Sequence, residues 1–478
     1  MPPSLLYLAS TILIATLITM TCIPITNKLP HFVLQPDHSN LAKAFASKYP
    51  EVGLPSPNGP AIVDLNLKAQ VVLRGLRYPT SMAFLGPNDI LVTEKDAGTV
   101  RRIVNGTELQ QPLLNASVAT YGHRGMLGIA IAHHPLLFTD HRNPNSHHNK
   151  TTTNTTGYVF LYYTQAQSRT GDDITEGKQP LGNRLYRYEL IGNKLINPKL
   201  LLDLPAVPGA IGNGGKVVIG PDNNVYITIG DVGINGHRTK AQNIQNGSEP
   251  DGTSGILRVN QDGQPVLPGI LGNKYPLNLY YSYGMWNSFG LAFDPLTKIL
   301  WDTQIGLPFG DEINLVRPGF NSGYSKIDGI WLHGYNIDQT EKQHVASSLH
   351  PNDLSNFGGK GKYHPPLFTW FRKVVPTGIT FLNSSKMGNH YENDDMFVAD
   401  VKNGNIYHFK LNPQRTGLLL PTGPLADGIA NSSDSLQQII FGKGFGGITD
   451  LKVSPYDGYL YVLTFDQGTI YKIVPVNR

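Results

Sequence analysis

The sequence predicts an all-β fold, a six-bladed β-propeller of four-stranded antiparallel blades preceded by an N-terminal hydrophobic helix. Three observations carry this expectation. Glycine (51) and proline (35) are abundant in a chain of 478 residues and charged residues make up only 15%, a balance that suits many strands joined by turns. From about residue 70 onward one unit recurs: an apolar strand, a turn rich in Pro, Asp, Asn or Gly, an alternating strand, and a strand with a basic or aromatic residue. Ahead of these units, Leu5 to Ile23 form an uncharged, mostly apolar run.

The unit is read six times, as MAFLGPNDILVTEKDAGTVRRI, YVFLYYTQAQ with NRLYRYEL, VVIGPDNNVYITIGD with GILRVN, LAFDPLTKILWDTQIG with EINLV, ITFLNSS with DMFVADVKNGNIYHFKL, and LKVSPYDGYLYVLTFDQGTIYKI. Six such units make six propeller blades. They are unequal in length, with insertions expected at residues 133–156 and 329–362, and a large β-sandwich is the alternative architecture. In a propeller the inter-strand loops gather at the channel mouths, so chemistry is expected there.

Residues 1–25 read as a signal peptide or signal-anchor helix, 26–68 as a linker with initial strands, and 69–478 as the propeller. The apolar run is long enough for an export signal or a single anchor. Seven Asn-x-Ser/Thr triplets follow it, at Asn105, Asn115, Asn149, Asn154, Asn246, Asn383 and Asn431. Together they predict an exported, glycosylated chain on the outer face of the cell membrane or secreted, with the membrane as a partner through the N-terminal segment. Cys22 is the only cysteine, so no disulfide forms within the chain. The net charge of +4 comes without a dense Lys/Arg run, which argues against a nucleic-acid partner. Nothing in the sequence names a protein partner.

The stretch Gly212 to Asp231, GNGGKVVIGPDNNVYITIGD, resembles the signature hairpin of the soluble pyrroloquinoline quinone (PQQ) glucose/sorbosone dehydrogenases. Other segments match that family in order. They are Gly75–Leu85, Gly122–Ala130 (GHRGMLGIA), Ser282–Phe293 (SYGMWNSFGLAF), Gly310–Leu315 with Asn321–Tyr324, and Asp450–Ile473. The resemblance covers about residues 70–475. It implies a six-bladed sugar dehydrogenase that uses PQQ and Ca²⁺ on an aldose or other small polar ligand at the channel mouth. The non-enzymatic hedgehog-interacting proteins share the fold.

Sugar oxidation on this quinone needs a base for the hydroxyl proton, cationic groups for the cofactor carboxylates, and calcium to polarise the quinone. The resemblance places the family's catalytic His at Gly212, which transfers no proton. His123 falls at a pocket-facing position and is the candidate substitute base, with His237 next. Lys216 and Lys402 stand where the family has a cofactor-contacting Arg and Lys. Each is equally readable as a solvated strand or turn residue. Trp286 replaces a second cofactor-binding Arg, beside a retained Asn287. It is read as a ring that stacks on a flat ligand or as a buried propeller Trp. Gly447 and Thr449 replace two more Args. Asp311 and Glu312, with the carbonyl of Tyr324, match the family's calcium segment. Gly306 matches the carbonyl step that holds the cofactor's calcium. The scattered His133, His134, His141, His147 and His148 fit no defined metal spacing.

Three readings follow: a quinoprotein sugar dehydrogenase with an altered site, a non-catalytic extracellular propeller that binds a ligand or protein, and a lactonase-like hydrolase with a central calcium.

Overall fold

In a computed structural model, the described residues are 49–133, 157–167, 180–233, 239–307, 309–332, 353–388, 391 and 395–476. The expected N-terminal helix, His237 and the His-rich insertion beyond His133 lie outside them. No helix among the described residues is long and apolar enough to cross a membrane.

The described chain forms six sheets of four or more strands and one two-stranded ribbon. In chain order we call the six sheets I to VI. Their innermost strands are Pro79–Gly86, Met126–His133, Val217–Ile219, Asn287–Phe293, Pro376–Leu382 and Ile448–Val453. The inner strand of each sheet packs on the next, and the inner strand of VI packs back on that of I. The fold is thus all-β with a propeller-like arrangement.

A separate hydrophobic cluster fills each junction between neighbouring sheets. Leu91 and Ile129 mark I–II, Tyr162 and Val217 mark II–III, and Tyr226 and Leu300 mark III–IV. Trp301 and Phe381 mark IV–V, Phe397 and Val462 mark V–VI, and Ile90 and Leu463 mark VI–I. Alternation along the strands turns one face of each sheet to each neighbour, so both faces are buried.

A hydroxyl also crosses each junction to a backbone carbonyl. Thr80 donates to Met126 O at 2.7 Å, Tyr162 to Asn213 O at 2.9 Å and Thr228 to Ser288 O at 2.9 Å. Thr303 donates to Thr377 O at 3.0 Å, Thr377 to Ile448 O at 2.7 Å and Thr449 to Pro79 O at 2.8 Å. Strand ends near the axis leave carbonyls buried without a ladder partner, and these side chains satisfy them.

The uniform four-stranded antiparallel blade is corrected in detail. Sheets II and VI have just four strands, whereas the others carry more. Sheets III and IV extend through parallel pairings, Tyr283 with Asn321, Asn321 with Tyr363 and Trp370 with Ala430. The reason lies in the long insertions, which return along sheet edges and cover them. The initial strands join the ring itself. Ala61–Ile62 pairs with Ile440–Lys443 of sheet V, and Leu67–Leu73 forms the outer strand of sheet VI beside Thr469–Pro475. Residues Tyr49–Arg478 form one compact unit.

Candidate functional site

Two sets of loops gather at one end of the ring. One set precedes the inner strands and holds Tyr78, His123, Gly212–Lys216, Trp286, Val375 and Gly447. The other joins second and third strands and holds Lys95–Asp96, Asp231, Gly306–Gly310, Lys402 and Asp466. In an antiparallel sheet both kinds of loop fall at the same end. Gly212, His123, Trp286, Lys402 and Gly447 therefore fall in loops at one end of the ring.

His123 is fixed at this mouth by its own backbone, which donates to Ala210 O at 2.7 Å. The adjacent Arg124 is buried and clamps the approach to Gly212. Its guanidinium donates to Gly209 O at 2.9 Å, Ala206 O at 2.8 Å and Pro208 O at 2.7 Å. The His123 ring lies 6.3 Å from that of Phe289, and its Nδ1 is buried without a hydrogen-bond partner. Burial lowers its pKa to about 4; the charge of Glu51 opposes this, and those of Lys95 and Lys373 add to it. The imidazole is therefore neutral at neutral pH and has a free lone pair or N–H at Nδ1.

Gly212 adopts φ +74°, and a Cβ there would stand 3.1 Å from Val232 N and 3.3 Å from Asp231 Oδ1. Asn287 turns inward, and its Oδ1 accepts from Gly214 N at 2.9 Å. It thus holds the glycine loop. Lys216 is withdrawn from the mouth. Its ammonium pairs with Asp450, which also accepts from Ser81 Oγ at 3.0 Å and Met82 N at 2.9 Å. Burial pushes the Asp450 carboxyl up, but the charges of Lys216 and Lys452 and the Lys216 and Met82 donors bring it below the usual carboxylate range. Sheets III and VI face each other across the ring, so this pair spans the central channel.

Trp286 is buried rather than open to a ligand. It packs with Ile305, Tyr324 and Val375 in an apolar cluster, its ring 5.7 Å from that of Tyr324. Tyr324 donates its hydroxyl to Asp231 Oδ2 at 2.8 Å, and its carbonyl accepts from Asn243 Nδ2 at 2.6 Å. Lys402 is exposed. Thr449 is spent on the Pro79 carbonyl. Gly447 packs beneath Val52 and Val401, where a Cβ would collide.

Asp311 and Glu312 project to opposite faces of one strand. Asp311 Oδ1 accepts from Gly306 N at 3.0 Å, and Oδ2 accepts from Val374 N at 2.7 Å and Val375 N at 2.8 Å. Burial raises its pKa to about 6, against these three donors. Its role here is to brace Val375, a β-branched residue held at φ +58°. Glu312 accepts from Gly329 N at 2.9 Å, Asn314 Nδ2 at 2.8 Å and Ser322 Oγ at 3.0 Å. Burial puts its pKa well above the usual range, and Asp302 and Asp328 push it further. Asp311, Glu312 and the Tyr324 carbonyl are thus engaged by protein donors, while Gly306 donates its N–H to Asp311. Among the described residues no group of three or more His, Cys, Asp or Glu side chains is placed to hold a metal ion.

Two features of the mouth had no signal in the sequence. Lys373 has no hydrogen-bond or ion-pair partner among the described residues, and its charge is felt at both His123 and Asp311. A strap at Tyr49–Gly53 crosses the rim. Tyr49 packs its ring 5.3 Å from Tyr78 and 4.9 Å from Phe465 and donates to Asp96 Oδ2 at 2.6 Å, while Gly53 N donates to Val401 O at 2.9 Å.

The sequence profile of the Glucose / Sorbosone dehydrogenase family matches residues 76–472. The chain is 29% identical to quinoprotein glucose dehydrogenase B of Acinetobacter calcoaceticus over 465 residues, covering 85% of this chain and 87% of the relative. It is 24% identical to the aldose sugar dehydrogenase YliI of Escherichia coli K12 over 417 residues, covering 86% and 94%. Among solved structures, the apo soluble aldose sugar dehydrogenase of E. coli superposes with a TM-score of 0.60 at 21% identity, covering 86% of this chain and all of that one. The PQQ-bound aldose sugar dehydrogenase of Streptomyces coelicolor gives 0.56 at 21% identity, covering 88% and 99%.

Proposed function

The chain belongs to the glucose/sorbosone dehydrogenase family, and from that premise we propose that it is an exported sugar oxidoreductase whose proton acceptor is His123 rather than a residue at position 212. The observation that carries this reading is the half-buried, neutral His123 with a buried, unpartnered Nδ1 at the mouth. A neutral imidazole accepts the proton of a sugar hydroxyl, and a positioned base contributes on the order of 10²–10⁴-fold in rate. Arg124 and Asn287 position the loops around it.

The donor set fits an anionic, planar quinone on one side of the mouth. Lys373 and the exposed Lys402 would face its carboxylates, and His123 would face the substrate. It does not repeat the family arrangement on the other side, where Trp286, Gly447 and Thr449 are committed to packing or to a backbone carbonyl. PQQ, when bound, supplies the hydride acceptor, and Ca²⁺ would serve as its Lewis acid. Six sheets, six clusters and six hydroxyl latches support a six-bladed reading of the ring. Export and glycosylation are supported by Asn105, Asn115, Asn246, Asn383 and Asn431, all of which are exposed; Asn149 and Asn154 lie outside the described residues.

A second reading is favoured by the strap and the apolar Trp286 cluster, which close part of the mouth: a non-catalytic extracellular propeller that binds a ligand or protein. The central-calcium hydrolase has little support, because the Lys216 ammonium stands in the channel. Reconstitution of the protein with PQQ and Ca²⁺ separates these readings, with dye reduction by aldoses and quinone absorbance read together. The oxidoreductase reading expects turnover that falls at least a hundredfold in His123→Gln with binding retained. Binding without turnover in the parent chain supports the second reading, and neither signal overturns the first.

A further inference from the structure

The interior of the ring holds more positive charge than the protein neutralises there. Asp450 and Lys452 are two residues apart on the innermost strand of sheet VI, so they project to the same face. Leu451 between them packs into the V–VI cluster. Both therefore turn toward sheet I, where Asp450 reaches Ser81 and Met82. Lys216 enters the same space from sheet III, across the ring, and pairs with Asp450. Two ammoniums and one carboxylate thus meet inside the ring.

Asp450 has no capacity left for a second cation. One oxygen accepts from Ser81 Oγ at 3.0 Å and Met82 N at 2.9 Å, and the other from Leu451 N at 2.9 Å and from Lys216. These donors fill the lone-pair sites of a carboxylate. Each ammonium carries three N–H donors. Lys216 spends one on Asp450, and Lys452 has no hydrogen-bond or ion-pair partner among the described residues. Lys452 is half-buried, so it borders open space rather than packed side chains alone. Burial still lowers its pKa to about 8; Asp450 opposes this and Lys216 adds to it. The ammonium therefore lies deep in the ring and is charged at neutral pH. A charge this deep is costly unless it is paired and hydrogen-bonded.

We propose that the ring interior beside Lys452 binds a small monovalent anion of the halide class, with Lys216 as its second cation. One negative charge balances two ammoniums and one carboxylate, whereas a dianion would leave the interior negative. A halide accepts N–H donors from any direction. It suits two flexible ammoniums on opposite walls better than a carboxylate, which is best matched by the planar fork of an arginine. The site lies behind the mouth, uses neither His123 nor Lys402, and does not rest on the oxidoreductase reading. Its role is structural: a shared counter-ion ties sheet VI to sheet III beside the Lys216–Asp450 pair.

Melting of the full chain at constant ionic strength and neutral pH tests this without reference to activity. Sodium gluconate, whose anion is bulky, is exchanged for sodium chloride or bromide. The melting temperature is expected to rise by about 2 °C and to saturate with halide. Crystals grown in bromide should give one anomalous peak per chain beside Lys452. Lys452→Met should abolish both signals, and Lys452→Arg, which keeps the charge, should keep both. Halide-independent melting of the parent chain would overturn the proposal, with channel water then solvating the ammonium. So would a halide-dependent rise that survives Lys452→Met, or one whose bromide peak lies elsewhere. A peak without any rise marks an adventitious ion only and also overturns it. Should Lys452→Met fail to fold, melting of the parent chain and the position of its bromide peak decide.

Discussion

Returning a histidine to position 212 is expected to fail on backbone grounds. At φ +74° a side chain costs about 1–2 kcal/mol, and its Cβ would press on Val232 N. Gly212→His should lower the melting temperature without raising aldose-dependent dye reduction above that of the parent chain. A gain in turnover would show that the loop adapts. His123 carries the complementary prediction. Its folded pKa of about 4 lies below its ordinary 6.5, so below that value the unfolded chain takes up a proton that the folded chain refuses. Stability is unaffected above about pH 6.5 and is lost as pH falls toward 4, by about 3 kcal/mol in all. His123→Gln should flatten this acid limb in urea unfolding near pH 5 relative to pH 7.5; an unchanged limb would mean that the ring is solvated. The sequence made His123 a candidate by position alone. That its Nδ1 is orphaned depends on Phe289 and the 206–210 loop, which are remote in the chain.

Strands and their junctions set the next scale. Lys216 and Asp450 are 234 residues apart and both buried, and their pair ties sheet III to sheet VI. Lys216→Met would leave Asp450 buried without its ion-pair partner and with the charge of Lys452 as partial compensation, a loss toward the lower end of about 3–5 kcal/mol. Adding Asp450→Asn keeps an acceptor for Ser81 and Met82, and should recover most of that loss in a double-mutant cycle. Additive losses would refute the coupling. Thr377→Val should cost about 1–3 kcal/mol, since the Ile448 carbonyl then stays buried without its donor. The repeat made the strands legible, because each unit carries the alternation and turn residues of a hairpin. The pairings across the ring were not legible. Lys216 resembled a cofactor contact only while its partner was unknown, and Trp286 resembled a stacking platform only while Tyr324 and Val375 were unplaced.

Ring closure belongs to the whole molecule. The last three strands of the chain, Ile448–Val453, Leu460–Thr464 and Thr469–Pro475, lack a fourth until Leu67–Leu73 arrives from the other end. The sequence identified the closing segment at Asp450–Ile473 and read residues 26–68 as a linker with initial strands, but it did not pair those strands with the closing segment, because no local pattern announces a partner at the opposite terminus. The register runs from Leu67 against Pro475 to Leu73 against Ile470, and Leu67 is buried in the V–VI cluster. A ring locked this way has no free edge from which to unravel, so its six junctions should melt together. Ala69 pairs with Ile473 near the middle of this strand. Ala69→Pro fixes φ and interrupts the pairing there without touching any inner strand or the mouth. The parent chain is expected to unfold in one cooperative urea transition. Ala69→Pro should lower the midpoint and broaden the transition or split it, with hydrogen exchange rising first at Thr469–Pro475 and then in the neighbouring sheets I and V. A variant with the same midpoint and a single sharp transition would mean that the inner-strand latches alone hold the ring closed.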